Sequence, residues 1–538
     1  MRSSLHLVYP RSMKNASSSS DSLIRHGSTL SLLTLGSRVL GLVREMVKAA
    51  YLGTTPLSDA FTVAFMIPNL LRRLFAEGSI AVAFIPTFKG YLIKDDPEDT
   101  RTFLSSVFTV LSFLVTLAVI AGLFLAPKIV PLFGTEYNET LLLTRIMFPY
   151  LACVSIAAFF QGILNGVNVF APTGFAPILL NLSIIGAAYA LAPLTANPAR
   201  AMAIGVLLGG TLEALIQLPY VLKKGFRFSF IGLRRSFTNP GTRATLRLIG
   251  PTIIGMAAYQ LNDLVSTVLA GNAGVGVVSS LQFSLRLQEL ILGVFAVSIG
   301  TVLLPDLAGH AKSGRWNEYN DRLVTAMDII ALITIPITIF SLVNGDKLVR
   351  LLFQARNFNE NSVRLTVTAF TFHIPGLFFI ALNRILAPAF YAQSDSKSPT
   401  IAGVAAFAAN MVLAALLVGP LKGGGVALAL SLASVLNTVL LLAFLSRNPQ
   451  VAVGRALRSA STYAAKLTVF SLLAAVPLVV MGTRLYAPFA GYRNRLASIG
   501  LPLAISTVLF GLIGIGLLSL TKDKQAKAIF KAFSRNRN

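Results

Sequence analysis

Apolar residues run through this chain in long blocks, interrupted by short polar breaks rich in glycine, proline and serine. A helix needs about 20 largely apolar residues to cross the hydrocarbon of a bilayer. Fourteen blocks meet that need, at 28–50, 59–92, 103–126, 140–165, 170–192, 201–222, 246–270, 277–309, 323–343, 363–391, 399–419, 423–445, 463–483 and 497–520. The pattern predicts an all-α integral membrane protein. The second, eighth and tenth blocks exceed one straight crossing, and Pro68 and Pro305 are expected to bend or end the straight part of the second and eighth. The first 25 residues are polar, with serine at 17 to 20 and no apolar core, and read as a disordered cytoplasmic leader instead of a signal peptide.

Composition supports the same class. Of 538 residues, 54% are hydrophobic and 12% charged, against roughly 25% charged in soluble domains. Cys153 is the single cysteine, which excludes a disulfide scaffold. The net charge of +25 would fit nucleic acid only if it clustered on a soluble face. Its distribution is instead topological. Counted with the span ends, 28 Lys and Arg fall on the side of the termini, 10 on the opposite side and eight inside spans. That bias places both termini in the cytoplasm. The loop holding Lys223, Lys224, Arg227, Arg234, Arg235, Arg243 and Arg247 has no acid and weighs most. Lys347, Arg350, Arg356 and Arg364 form the one loop that opposes the rule.

The chain matches itself at an offset of about 218 residues. Gly53 corresponds to Gly271 and Ala83-Phe84-Ile85-Pro86 to Val302-Leu303-Leu304-Pro305, and a weaker match, shifted by several residues, sets Phe170-Ala171-Pro172 beside Lys397-Ser398-Pro399. The offset covers six spans, an even number, so both copies enter the membrane in the same direction. Two parallel six-helix lobes with a site between them are expected. The resulting division is a leader at 1–27, an N-lobe at 28–222, a basic cytoplasmic loop at 223–247, a C-lobe at 248–445, two appended spans within 446–520 and a basic cytoplasmic tail at 521–538.

A charge at mid-bilayer costs a few kcal/mol, on the order of 3 on insertion scales, so each one needs a reason. In the first span, Ser37, Gly41, Arg44 and Lys48 share one helical face, with Arg38 and Glu45 on the adjoining one. The second span opens with Asp59 and carries Asn69, Arg72, Arg73 and Glu77. Arg73 and Glu77, four residues apart, read as a local ion pair fastening helices. Lys48, near the outer end, is expected to snorkel. Arg145, Glu213 and Arg384 read as lobe-internal pairs or interface anchors. Arg38, Arg44, Arg72 and, in the matching span of the second lobe, Arg286 beside Glu289 are harder to explain as pairs. Guanidinium stays charged and grips phosphate bidentately, so an excess of it in an apolar interior points to an anionic ligand such as a lipid-linked phosphate or pyrophosphate.

The phosphate-binding loop pattern of ATPases, a His-Glu-x-x-His zinc helix and a Gly-x-Ser-x-Gly elbow do not occur in the sequence. His6, His26, His310 and His373 are scattered, so neither a metal nor an organic cofactor is expected.

Three runs are specific enough to compare with a known family: Ser37-Arg38-Val39-Leu40-Gly41-Leu42-Val43-Arg44-Glu45, Ser58-Asp59-Ala60-Phe61, and the stretch from Ile67-Pro68-Asn69 through Arg72-Arg73 to Glu77-Gly78. They closely resemble the MurJ (MviN) family of lipid II flippases in the MOP superfamily. The resemblance continues through Gln161-Gly162-Ile163-Leu164-Asn165, Arg286 with Gly300 to Pro305, and Phe390 to Pro399, and covers roughly residues 28 to 520. It implies fourteen spans, a cationic central cavity and export of an undecaprenyl-pyrophosphate-linked disaccharide-pentapeptide from the inner to the outer leaflet of a bacterial plasma membrane by alternating access.

The resemblance also implies roles for single residues. The family's cavity arginines fall on Arg38, Arg44, Arg72 and Arg286, with Ser37 and Asn69 beside them as substrate-binding positions. Its sensitive acid falls on Asp59, which with Glu45 and Lys48 is expected to act as a gate. Some members use acids on the seventh and eleventh spans for sodium. Here Ser266 stands where an acid would be expected, and Asn410 is followed one turn later by Ala414, so the coupling ion stays open. The expected partners are lipid II, the membrane and cell-wall synthesis proteins, without nucleic acid. The rivals are a polysaccharide-lipid flippase, a drug or cation antiporter, whose cavity would favour acids over arginines, a membrane glycosyltransferase and a non-transporting wall-synthesis scaffold.

Overall fold

A computed structural model describes residues 20–73 and 79–527. Helices fill it, and no strand occurs among the described residues. Ten stretches there are long and apolar enough to cross a membrane by length and composition. The other four expected crossings fall on α1 (Ser20–Leu52), on α2 (Pro56–Arg72) with α3 (Ser79–Lys94), on α10 (Pro240–Ala273) and on α11 (Val277–Lys312). α1 starts within the segment read as leader. α11 continues through Pro305 instead of ending there.

The chain divides into two compact units, residues 1–264 and 265–538, with the division inside α10. In the first unit α4 (Pro97–Ile129), α5 (Tyr137–Met147), α6 (Tyr150–Gly166), α7 (Ala171–Ala190), α8 (Pro198–Lys223) and the short α9 (Leu233–Thr238) follow α3. Asp96 caps α4 by accepting from the Glu98 and Asp99 amides at 2.9 and 3.0 Å, satisfying donors that a helix start leaves unpaired.

α8 presents Gly205 and Gly209, one turn apart, to α7. A Cβ at Gly205 would lie 2.9 Å from the Ile184 Cα, and one at Gly209 would lie 2.9 Å from the Leu180 Cα. Only residues without side chains allow main chains to approach so closely, which is the small-residue route to helix association in lipid. A cluster of Val47, Leu52, Phe61, Met147, Tyr150 and Met202 forms one core of this unit. A second is aromatic, with the Tyr91 and Phe103 rings stacked at 4.4 Å and Phe84 against Phe88 at 5.4 Å.

The basic segment at 223–247, read from charge as a boundary between lobes, is anchored to the first unit. The Ser229 amide donates to Ser105 Oγ and the Ile231 amide to Thr109 Oγ1, both at 3.1 Å. Phe226 and Phe228 meet Phe88 and Phe108 at 5.4 and 4.7 Å between ring centres. Aromatic residues interleaved with the basic ones give this segment something to bury, and counting charge alone hides that.

The second unit contains α11, α12 (Trp316–Phe353), α13 (Glu360–His373), α14 (Leu377–Tyr391), α15 (Lys397–Leu421), α16 (Gly423–Leu445), α17 (Val453–Val480), α18 (Gly482–Tyr486) and α19 (Leu501–Leu520). The repeat is visible in the way crossings break. α5 and α6 are separated at Phe148–Pro149, and α13 and α14 at a 3-10 turn, Ile374–Gly376, that contains Pro375. Proline lacks the amide hydrogen that would continue the helix. The Phe390-to-Pro399 run forms a polar knot: Gln393 donates to the Tyr319 hydroxyl at 2.9 Å and accepts from Asn448 at 2.8 Å, while Tyr319 donates to the Ala389 carbonyl at 2.7 Å. In the loop that opposes the charge rule, Arg350 is held bidentately by Glu360 at 2.6 Å and by Asp346 at 3.0 Å, so two acids offset part of its four cations.

Candidate functional site

The interior charges of α1 gather around one carboxylate. Glu45 Oε1 accepts from Arg44 Nη2 at 2.7 Å, and Glu45 Oε2 lies 3.4 Å from Lys48 Nζ. Two cations share one acid, and all three side chains are nearly buried, at 14%, 9% and 6% exposure for Arg44, Glu45 and Lys48. Partners from other helices fix the arrangement. Arg44 Nη1 donates to Asn181 Oδ1 on α7 at 3.1 Å, and its guanidinium carbon sits 6.0 Å from the Phe65 ring centre on α2, at the edge of cation–π range. Asn181 Nδ2 donates to the Ser37 and Pro177 carbonyls at 3.2 and 3.1 Å. Lys48 donates to Thr62 Oγ1 at 3.1 Å, and Thr62 in turn donates to the Ser58 carbonyl at 2.7 Å.

This corrects one sequence expectation. Lys48 does not snorkel: α2 covers it and supplies a hydroxyl, so its ammonium stays inside the helix cluster. Snorkelling assumes lipid on the outer flank of the lysine, and here the flank is protein. Asp59 lies in the first turn of α2, whose N-cap is Thr55 and whose first residue is Pro56, and it is buried at 3% exposure. The helix N-terminus there favours a negative charge.

The other arginines divide. Arg72 Nε donates to Asn69 Oδ1 at 2.9 Å, a neutral partner one turn earlier on the same helix. Arg73 Nη1 donates to Gln260 Oε1 at 3.4 Å, while Glu77, its expected partner, lies outside the described residues. Arg38 is exposed, on the same flank of α1 as Leu35 and Val39. Six residues from Arg44, it points about 120° away around the helix axis, and the structure does not bring those two guanidiniums together. In the second unit Arg286 pairs with Glu289 at 3.0 Å, one turn on, with both side chains partly exposed. Arg145 and Arg384 are exposed and make no ion pair among the described residues, whereas Glu213 is buried.

Sequence reasoning missed Asn181, Thr62 and Phe65. The signal available was an asparagine in the middle of an apolar span, the kind of polar group that must find a partner in lipid. The positions considered for sodium, Ser266 and Asn410, are brought together in the second unit, with Asn410 Nδ2 donating to Ser266 Oγ at 3.3 Å. No group of three or more His, Cys, Asp or Glu that could hold a metal ion occurs among the described residues.

A cluster of this kind can hold an anion. Guanidinium and ammonium groups in a low-dielectric setting attract a phosphate strongly, and the shared carboxylate keeps the cations tolerable until one arrives.

Comparison with known proteins follows the same line. A family profile described as "Lipid II flippase MurJ" matches residues 48–494. A probable lipid II flippase of Treponema pallidum (strain Nichols) is 45% identical over 94% of this chain and 98% of its own length. The counterpart from Haemophilus influenzae is 34% identical over 76% of this chain and 83% of its own length. Among solved structures, a lipid II flippase in an inward closed conformation superposes with a TM-score of 0.75 at 24% identity, covering 91% of this chain and 98% of that one. An inward-facing multidrug transporter of the MOP superfamily superposes at 0.66 and 13% identity, covering 78% of this chain and 96% of that one, a likeness of fold alone.

Proposed function

The chain belongs to the MurJ family of lipid II flippases, and from that premise we propose that it carries lipid II between membrane leaflets by alternating access. The observation that supports this best is the near end-to-end 45% identity to a relative of that name, together with Arg44 and Lys48 gathered on one buried acid. The substrate's pyrophosphate is an anion that a bidentate guanidinium recognises and that a drug-type cation is not. The protein acts as a transporter and not as an enzyme: its chemistry is binding and release.

In this reading Arg44, with Ser37 on the same helix face, forms the first contact for the pyrophosphate. Arg72 with Asn69 adds a further donor, whereas Arg38, turned about 120° from Arg44 on α1, and Arg286, in the second unit, meet the anion elsewhere on its path. Glu45, Lys48 and Asp59 form the gate. Anionic oxygens compete with Glu45 for Arg44 and Lys48, and a carboxylate displaced in this way shifts a two-state equilibrium only by the difference in affinity between the states. Direction of transport is inner to outer leaflet of the bacterial plasma membrane, with both termini cytoplasmic and no organic cofactor, driven by membrane potential or an ion. Wall-synthesis enzymes that consume the exported precursor are the expected protein partners.

The test is reconstitution of the full chain in vesicles with fluorescent lipid II and a leaflet-accessibility readout, with and without an imposed potential. Accelerated exchange of lipid II, absent with a zwitterionic phospholipid of equal chain length, is the expected result. No exchange above protein-free vesicles would reject the function.

A further inference from the structure

A second buried polar cluster lies in the second unit, where α12, α17 and the segment after α19 meet. Asp523 is a fully satisfied anion. Its Oδ2 accepts from Lys466 Nζ at 2.7 Å. Its Oδ1 accepts from the Tyr463 hydroxyl at 3.0 Å and from the Gln525 and Ala526 amides at 3.1 and 3.0 Å. Asp328 on α12 differs. Its Oδ2 has one neutral donor, Gln525 Nε2 at 3.3 Å, and its Oδ1 is buried without a hydrogen-bond partner. The residue is 7% exposed.

Charge balance sharpens the contrast. The titratable groups against Asp328 are Tyr463 from α17 and Asp523 from the C-terminal segment, and the nearby Lys466 charge is matched by Asp523. The next charges along α12 are matched elsewhere, Asp321 by Arg455 at 3.4 Å and Arg322 by Asp306 at 3.7 Å. Lys522 and Lys524 are exposed. An ionised Asp328 would be a buried charge with no counter-ion beside a second carboxylate, an arrangement proteins avoid by neutralising the group.

We propose that Asp328 is a proton-binding site, carrying a proton on Oδ1 while the segment 521–527 is docked against α12 and α17. When the segment lifts away, taking Gln525 and Asp523 with it, water reaches the carboxyl and the proton passes to solvent. Docking and proton uptake are then one event, so low pH favours the docked arrangement and high pH the released one. Within the window between the two states' proton affinities, the docked-to-released ratio falls roughly tenfold per pH unit. The site is separate from the Arg44 cluster and does not depend on lipid II as the substrate.

The test uses the full chain in lipid nanodiscs, with Cys153→Ala removing the single native thiol and Lys524→Cys carrying a nitroxide spin label. Mobility of the label is followed from about pH 5 to about pH 9, a range within which ordinary carboxylates are already ionised. A sigmoidal one-proton transition from immobile to mobile is expected, and Asp328→Asn, a mimic of the neutral acid, should hold the label immobile throughout. An unchanged transition in Asp328→Asn, or a label whose mobility ignores pH in the parent chain, overturns the proposal. If Asp328→Asn fails to insert, infrared spectroscopy of the parent chain takes its place. A carboxylic-acid C=O band at neutral pH that shifts in Asp328→Glu supports the site, and one that does not shift rejects it. Because no readout contains lipid II, failure here leaves the transport reading untouched, and the reverse also holds.

Discussion

Arg44 and Asn181 lie 137 positions apart in sequence and are joined by a 3.1 Å hydrogen bond, while Asn181 returns its own amide to the Ser37 carbonyl two turns earlier on the helix that bears Arg44. One side chain on α7 therefore fixes both the register of α1 and the aim of its guanidinium.

Asn181→Leu should cost stability and aim together. Leucine fills the volume but leaves Arg44 Nη1 without its partner, and removing one side of a partly buried hydrogen bond costs about 1–3 kcal/mol. Thermal unfolding in detergent should show a lowered midpoint, and lipid II exchange should fall further than membrane abundance does.

Arg44→Lys keeps the charge and loses the fork. Lysine cannot reach Glu45 Oε1 and Asn181 Oδ1 at once, as Arg44 does at 2.7 and 3.1 Å. Transport should drop tenfold or more, equivalent to about 1.4 kcal/mol per decade, with normal abundance. Full activity in vesicles would show that attraction alone, without bidentate geometry, is enough.

Asp59→Asn separates a gate from a fixed helix-end charge. The residue is buried in the first turn of α2. Acting as a gate, it should leave insertion and abundance normal while transport stops. Normal abundance with normal transport would assign it to helix capping.

Gly205→Val introduces atoms where the main chains of α7 and α8 touch. Its Cβ would meet the Ile184 Cα at 2.9 Å and the Ala187 Cβ at 2.7 Å. Overpacking of this kind costs about 1–3 kcal/mol or more. Membrane abundance and the thermal midpoint should both fall, whereas Gly511→Val, where nothing lies within 4 Å, should be silent.

Asp395 gives a pH-dependent prediction at a loop outside the spans. It accepts from the Lys397 and Ser398 amides at 2.9 and 3.0 Å at the start of α15. Hydrogen bonds from Ser398, then from the Lys397 backbone, hold its carboxyl below the usual carboxylate range. A lowered value in the folded state means stability that is present above the unfolded value, about 3.9, and lost as pH falls through the folded one. Asp395→Ala should lower stability by about 1 kcal/mol at neutral pH, and the gap should close in strong acid, as read from unfolding midpoints across pH.

The all-helical membrane architecture with ten of the fourteen expected spans, the shared face of Ser37, Arg44 and Lys48 and the cost of charges in lipid were legible in the sequence, because helical periodicity and hydropathy are local properties. The partners were not. Asn181 and Thr62 are neutral, lie on other helices and meet α1 only through a register that packing sets. The expectation for Lys48 failed for the same reason, since whether lipid or α2 lies beside it cannot be read from α1. Charge counting was silent on another point: the rings of Phe226 and Phe228, on either side of Arg227, pin the basic loop to α3 and α4.

Two helices whose main chains touch, as α7 and α8 do at Gly205 and Gly209, cannot slide past one another without first separating by the thickness of a side chain. Asn181 rivets α1 onto the same pair. The three together make a stiff panel. A panel does not absorb a push by bending; it swings. The neighbouring crossing differs: its helix is interrupted at Phe148–Pro149, between Met147 and Tyr150. Any rearrangement of this unit then falls to such breaks and not to bending within α7 and α8.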